Sequence, residues 1–193
     1  MRVIGGTLKG RRFDPPADNW PTRPTLDNAK EALFNIIDNT FEIEAMSVLD
    51  LFCGTGSHSY EFASRGCRDI TSVDKFSPCI WFVKQQSKAF EIDDVITPVL
   101  GDAFKFIKHC NRKFSYIFAG PPYPLKEAMD KLPILIFEHK LLKPGGWFVL
   151  EHNHHHRYET NPYFIQCRNY SGHTYFSIFE MPEEPEQEDK NDI

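Results

Sequence analysis

Apolar and polar positions along the chain follow two rhythms. Between residues 26 and 39, Leu26, Ala29, Leu33 and Ile36 recur every three or four residues. This predicts an amphipathic helix, capped by Thr25 or Asp27 and ending near Asn39. Beyond it, short apolar runs at Ser47 to Leu51, Asp69 to Val73, Val95 to Leu100, Phe114 to Ala119 and Trp147 to Glu151 alternate with helical segments at 57–66, 76–90, 102–110 and 126–141. Such alternation predicts parallel strands joined by crossover helices, a doubly wound α/β sheet. Pro133 is expected to start a helical segment, and Pro144-Gly145-Gly146 to form the turn before the fifth strand. Tyr163 to Tyr170 and His173 to Phe179, separated by Ser171-Gly172, read as an antiparallel hairpin closing the sheet edge, which brings the strands to seven.

Both ends of the chain break the pattern. Val3-Ile4 and Arg12-Phe13 flank Gly5-Gly6-Thr7 and Gly10, predicting a short hairpin, and Pro15, Pro16, Pro21 and Pro24 make a stiff connection behind it. Beyond Met181 no apolar pattern remains, and disorder is expected. The expected division is a basic hairpin extension at 1–24, one domain at 25–180 and an acidic tail at 181–193.

Composition narrows this picture. With 193 residues, 41% of them hydrophobic and 25% charged, the chain can bury one substantial core and is an ordinary globular protein. Neither a secretory signal nor a membrane span is read, so a cytoplasmic location is expected, and separately a monomer. The five cysteines form no C-x-x-C pair, which suits reduced thiols. The net charge of -5 is unevenly spread: from Glu180 onward seven acidic groups face only Lys190. In the first 25 residues Arg2, Lys9, Arg11, Arg12 and Arg23 face only Asp14 and Asp18, an excess that either meets phosphates or is simply solvated. His152, His154, His155 and His156 form a dense cluster, but consecutive loop residues rarely enclose a metal, and an exposed or RNA-facing loop is expected with no metal. Trp20, Trp81 and Trp147 are expected in the core or at its edges.

In doubly wound sheets ligands bind at the carboxyl ends of the strands. The first such end is Asp50-Leu51-Phe52-Cys53-Gly54-Thr55-Gly56, whose glycines let the backbone approach a ligand near a positive helix terminus. Dinucleotide enzymes use a similar turn with a third glycine three residues on, where this chain has Ser59. Asp74, followed by Lys75, ends the next strand and suits the ribose hydroxyls of either cofactor. Asp50 separates the two: a carboxylate there repels a pyrophosphate but tolerates the cationic ammonium and sulfonium of S-adenosylmethionine. Asp102-Ala103, after the third strand, adds an acceptor for the adenine amino group, unless Asp102 merely caps a helix.

After the fourth strand comes Gly120-Pro121-Pro122-Tyr123, a rigid loop offering carbonyl oxygens and an aromatic ring. It suits chemistry on a planar amine, with a flipped base lying on Tyr123; the plainer alternative is a proline-rich strand-to-helix turn. Together with Met1-Arg-Val-Ile-Gly-Gly6, Lys9-Gly-Arg-Arg12, Arg23-Pro-Thr25, Lys30-Glu-Ala-Leu-Phe-Asn35, the glycine turn, Asp74 and Asp102, this loop makes the chain resemble the RsmD-like bacterial 16S ribosomal RNA guanine-N2 methyltransferases, almost up to the tail. The resemblance implies a Rossmann-like class I methyltransferase sheet, S-adenosylmethionine as cofactor, and 16S RNA or the 30S subunit as partner. It places Arg23 and Thr25 beside the pocket and the basic hairpin on RNA. One departure stands out. The family pattern has Asp or Asn before Pro-Pro-Tyr, and this chain has Gly120. Lost side-chain acceptance implies slowed transfer, with the Gly120 and Pro121 carbonyls, Asp130, Glu127 or a water as substitutes, and a rate gain for Gly120→Asp. A non-catalytic RNA-binding protein, a DNA amino-methyltransferase and, less well matched by Asp50 and Ser59, a nicotinamide-dependent oxidoreductase stay open as alternatives.

Overall fold

The computed structural model describes residues 1–15, 27–170 and 173–183. The expectations for Pro16, Trp20, Pro21, Arg23, Pro24, Thr25 and Leu26, for the Ser171-Gly172 turn and for the tail from residue 184 lie outside these residues.

After α1 (Asp27–Thr40) the chain alternates as β1 (Ser47–Leu51), α2 (Ser57–Ser64), β2 (Asp69–Asp74), α3 (Ser77–Ala89), β3 (Ile96–Leu100), α4 (Ala103–His109), β4 (Phe114–Ala119), α5 (Lys126–Glu138) and β5 (Leu142–His152), and closes with β6 (Phe164–Tyr170) and β7 (Thr174–Glu180). The seven strands form one sheet in the order β3-β2-β1-β4-β5-β7-β6. The first five are parallel and β7 runs antiparallel to β5 and β6. All five residues of β1 are buried, because a central parallel strand is covered on both faces. Val48 joins a core with Leu33, Phe34 and Ile37 of α1, Tyr60 and Phe62 of α2, and Ile80 and Val83 of α3. Leu49 and Leu51 join a second core with Ile107 of α4 and Met129, Leu132 and Ile136 of α5. Chain order reverses on either side of β1, so the crevice for a ligand opens at the carboxyl ends of β1 and β4.

Several local expectations are corrected. The buried face of α1 also runs through Phe34 and Ile37, with Ile36 partly buried at its edge. Pro133 lies inside α5, where it removes the N–H that would bond the Met129 carbonyl. Tyr158 Oη donates to that carbonyl at 3.1 Å, which satisfies it and lets the helix run through. Pro144-Gly145-Gly146 is an irregularity within β5, not a turn before it: the β4–β5 register jumps between Phe114 and Tyr116. Gly145 (φ 68°) donates to the Met181 carbonyl and Gly146 accepts from Met181 N–H, both at 2.9 Å, so β5 keeps an edge partner through the jump. Trp147 is buried, and its Nε1 donates to Glu180 at 2.7 Å, but Trp81 faces outward from α3 and is 57% exposed. His152 is also not a loop residue. It ends β5 fully buried, bonded to Ser177 Oγ (2.8 Å) and the Asn153 carbonyl (2.7 Å), and burial depresses its pKa to about 4.

The N-terminal hairpin is held by one bridge pair, Arg2 with Arg12, without extended strands. Its fixation comes from the body. Val3 and Phe13 enter the first core, and Glu61 of α2, fully buried, accepts from the Ile4 and Gly5 N–H groups (2.7 and 3.3 Å). Glu61 pairs with Arg65 and, at 3.0 Å, with the buried Lys30 of α1, whose ammonium also donates to the Arg2 carbonyl and to Ser57 Oγ, each at 2.9 Å. A carboxylate buried this way is tolerable only because cations and N–H groups surround it.

Candidate active site

The glycine turn leaves β1 through two left-handed glycines, Gly54 (φ 53°) and Gly56 (φ 80°), and a left-handed Phe52 (φ 57°). At Gly56 any side chain is excluded twice. Its φ is unfavourable, and a Cβ would lie 2.8 Å from the Tyr60 ring and hydroxyl and 3.0 Å from Val83. Asp74, at the end of β2, fastens the turn: one carboxylate oxygen accepts from Gly54 N–H and the other from Phe76 N–H, each at 2.9 Å. Each oxygen keeps a second lone-pair direction for a ribose hydroxyl. Lys75 beside it is exposed.

Asp50 lies beneath the turn, 1% exposed, and accepts from Ser59 Oγ at 2.6 Å; Ser59 is 2.7 Å from Ser72 Oγ. Burial pushes its pKa up to about 7, against the opposing pull of the Ser59 hydroxyl. Ser59, standing where a dinucleotide fingerprint has its third glycine, is therefore the hydrogen-bond partner of the acid that disfavours a dinucleotide. Thr55 is buried, with its hydroxyl directed to Met1 Sδ at 3.6 Å. Asp102 caps α4 by accepting from Lys105 N–H at 3.0 Å, and Ala103 is buried behind it. The capping alternative thus holds for Asp102, with its second oxygen still available as an acceptor. A Cβ at neighbouring Gly101 would meet nothing within 4 Å.

These groups fit S-adenosylmethionine. Acidic side chains at Asp50, Asp74 and Asp102 line the ends of β1, β2 and β3, open space lies at Gly101, and the buried Tyr60 hydroxyl beside Gly56 has no hydrogen-bond partner among the described residues. Asp74 and Asp102 would hold the adenosine part, the backbone of the turn from Phe52 to Gly56 would border the ligand, and Asp50, buried beneath the turn, would act on the cationic end from below.

The second loop begins one strand away. Gly120 N–H donates to the Leu51 carbonyl at 3.4 Å, so the start of Gly120-Pro121-Pro122-Tyr123 abuts the start of the glycine turn. Pro121 is buried, Pro122 exposed, and Leu125 N–H closes the loop on the Pro122 carbonyl at 2.8 Å. The single Tyr123 Oη proton lies between two acceptors, the His173 carbonyl (3.3 Å) and Glu151 Oε1 (3.5 Å). Beneath the loop, Phe118 stacks on His58 with ring centroids 3.8 Å apart, and His58 Nε2 is 3.2 Å from Tyr116 Oη. Burial, reinforced by the positive charges of Lys30 and Arg65, holds the His58 pKa well below its ordinary value, so the ring is neutral.

Sequence reasoning does not single out His58, Tyr60 or Glu151. Only Glu151 carries a signal along the chain, as the carboxylate at the end of the fifth strand. Of the proposed RNA contacts, Arg2 pairs with Asp27 (3.2 Å) and Arg11 donates to the Ala89 carbonyl (3.0 Å); Lys9 and Arg12 are exposed. Their hairpin borders the site, since Met1 touches Thr55 and Lys30 ties the Arg2 carbonyl to Ser57, the residue after Gly56. Two surface clefts, of about 870 and 330 Å³, include no residue of either loop. Among the described residues no group of His, Cys, Asp and Glu could hold a metal, and no helix is long and apolar enough to cross a membrane.

Residues 1–180 match the model of the family described as conserved hypothetical protein 95, the RsmD-like family. The chain belongs to this family. Among relatives of this RsmD-like protein, YlbH of Bacillus subtilis (strain 168), whose name proposes rRNA methylation, is 35% identical over 156 residues, covering 79% of this chain and 83% of YlbH. Among solved structures, a hypothetical protein of Thermus thermophilus aligns with a TM-score of 0.81 at 23% identity, covering 94% of this chain and 99% of that one. An RNA methyltransferase from Salinibacter ruber, solved with S-adenosyl-L-homocysteine, aligns with a TM-score of 0.66 at 18% identity over 86% of this chain and 98% of that one. The RsmD-like chain therefore has the class I methyltransferase fold.

Proposed function

We propose that this chain transfers a methyl group from S-adenosylmethionine to the exocyclic N2 amine of a guanine in small-subunit ribosomal RNA, acting as a cytoplasmic monomer on 16S RNA or the 30S particle. The observation that carries the reading is the junction of turn and loop, where Gly120 N–H donates to the Leu51 carbonyl; it supports an amine held at Gly120–Tyr123 beside a ligand held at Asp50–Gly56. The family and the names of YlbH and the Salinibacter ruber enzyme support RNA and this cofactor.

When bound, S-adenosylmethionine supplies an electrophilic methyl on a sulfonium. The chain supplies position and charge. Asp74 and Asp102 accept from ribose and adenine, Asp50 offsets the positive end, and the flipped base lies against Tyr123 while loop oxygens accept from its amine. Arg2, Lys9, Arg11 and Arg12, with Arg23 and Thr25 preceding α1, meet phosphates. The test is calorimetry with S-adenosylhomocysteine followed by tritium transfer to unmethylated 30S particles. Binding and incorporation at one guanine N2 are expected. Binding without incorporation would favour an RNA-binding protein with no catalysis, and no binding would overturn the reading.

A further inference from the structure

We propose that Glu151 replaces the side chain missing at Gly120, as the acceptor that orients the substrate amine. The inference rests on the methyltransferase reading and names a residue within that site. Parallel pairing of Ala119 with Leu150 carries the next residues, Gly120 and Glu151, side by side at the carboxyl ends of β4 and β5. A Cβ built on Gly120 would lie 3.9 Å from Glu151 Oε2 and 3.2 Å from Phe118 Cε1. A carboxylate on β5 thus stands within reach of the place a side chain at position 120 would start from, with the Phe118 ring as its other near neighbour. Glu151 is 5% exposed, and its other oxygen accepts from Tyr123 Oη at 3.5 Å, so one side chain joins the residue before the two prolines to the aromatic after them. The substitutes expected from sequence fit less well: Glu127 pairs with Lys131 on the outer face of α5, and Asp130 is exposed.

In this arrangement the substrate N–H groups point to Glu151 Oε2 and the loop carbonyls, which aims the nitrogen lone pair at the methyl carbon. The lone pair forms the N–C bond as the C–S bond breaks, the bonding electrons stay on sulfur, and the nitrogen then releases its extra proton to water. The carboxylate stabilises the positive charge that builds on nitrogen.

Four variants test this, each assayed for S-adenosylhomocysteine affinity, thermal midpoint and tritium transfer to unmethylated 30S particles. Glu151→Met, similar in size but without an acceptor, is expected to lower kcat roughly 10- to 150-fold, with ligand affinity and KM within threefold of the parent. Glu151→Gln, which keeps a neutral acceptor, is expected to lose less. Adding Gly120→Asn to Glu151→Met is expected to restore at least tenfold, and Gly120→Asp alone to give no gain, because its carboxylate would crowd Glu151. A parent-like kcat in both Glu151 variants, or a folded double variant without rescue, would overturn the role of Glu151 while leaving the methyltransferase reading intact. A parent chain that binds no S-adenosylhomocysteine would overturn the reading itself.

Discussion

The glycine turn and the Gly120–Tyr123 loop leave adjacent strands and meet at one hydrogen bond, yet they are built in opposite ways. The turn is held at its backbone: left-handed glycines, Asp74 of β2 bonded to two backbone N–H groups, and Asp50 buried beneath with Ser59. The loop is stiffened by its prolines but takes its polar contacts from elsewhere, from Glu151 on β5 and His173 before β7, over rings contributed by β4 and α2. The turn fixes its backbone through N–H groups held by a carboxylate, whereas the loop has its tyrosine hydroxyl held by groups of a neighbouring strand.

The most damaging substitution should fall outside both, at the buried Glu61 that fixes α2 behind the turn. Glu61→Ala removes the only carboxylate paired with the buried Lys30 among the described residues, leaves Arg65 with Asp38 alone and frees the Ile4 and Gly5 N–H groups, at a cost of about 3–5 kcal/mol measured by urea unfolding. A loss under 1 kcal/mol would mean that the hairpin holds without it. Next, Gly56→Ala is expected to cost about 2–4 kcal/mol and to abolish S-adenosylhomocysteine binding, because it combines an unfavourable φ with a 2.8 Å contact to the Tyr60 ring.

Asp50 gives the turn a pH dependence. Its folded pKa, about 7, exceeds the ordinary 3.8, so the folded state holds the proton more tightly than the unfolded one. Stability contributed by the protonated acid is complete below about pH 4 and is lost as the pH rises through about 7. Asp50→Asn should therefore gain about 2 kcal/mol over the parent at pH 8 and little at pH 5, while weakening S-adenosylmethionine binding at pH 8. Equal gains at the two pH values would show that Asp50 does not titrate there. The smallest effect is expected at the loop. Gly120→Ala is tight only against the Phe118 ring, at 3.2 Å, with Glu151 Oε2 at an ordinary 3.9 Å, and should change stability by about 1 kcal/mol or less; a loss matching Gly56→Ala would erase the contrast between the two glycines.

Much of the fold was legible because the signals are contiguous. The alternation of apolar runs and helical segments located five parallel strands, the aromatic runs located the edge hairpin, and Gly54, Gly56, Asp74 and Asp102 could be read from their places after strands. Misreadings arose where a distant partner overrode a local rule. Pro133 stays within α5 because Tyr158 serves the carbonyl it leaves open, and Pro144-Gly145-Gly146 stays within β5 because Met181 pairs across it.

By itself the sequence determined the class of fold, the position of the glycine turn and the absence of a side-chain acceptor at Gly120, all properties of neighbouring residues with fixed periods and torsions. Tertiary structure alone decided what stands in the gap. Glu151 is 31 positions from Gly120, and only the β4–β5 register brings them together. Lys30 meets Glu61 through the packing of α1 on α2. Neither pairing has a local pattern, because strand register and helix packing come from burying whole faces, and the individual residues are carried along with them.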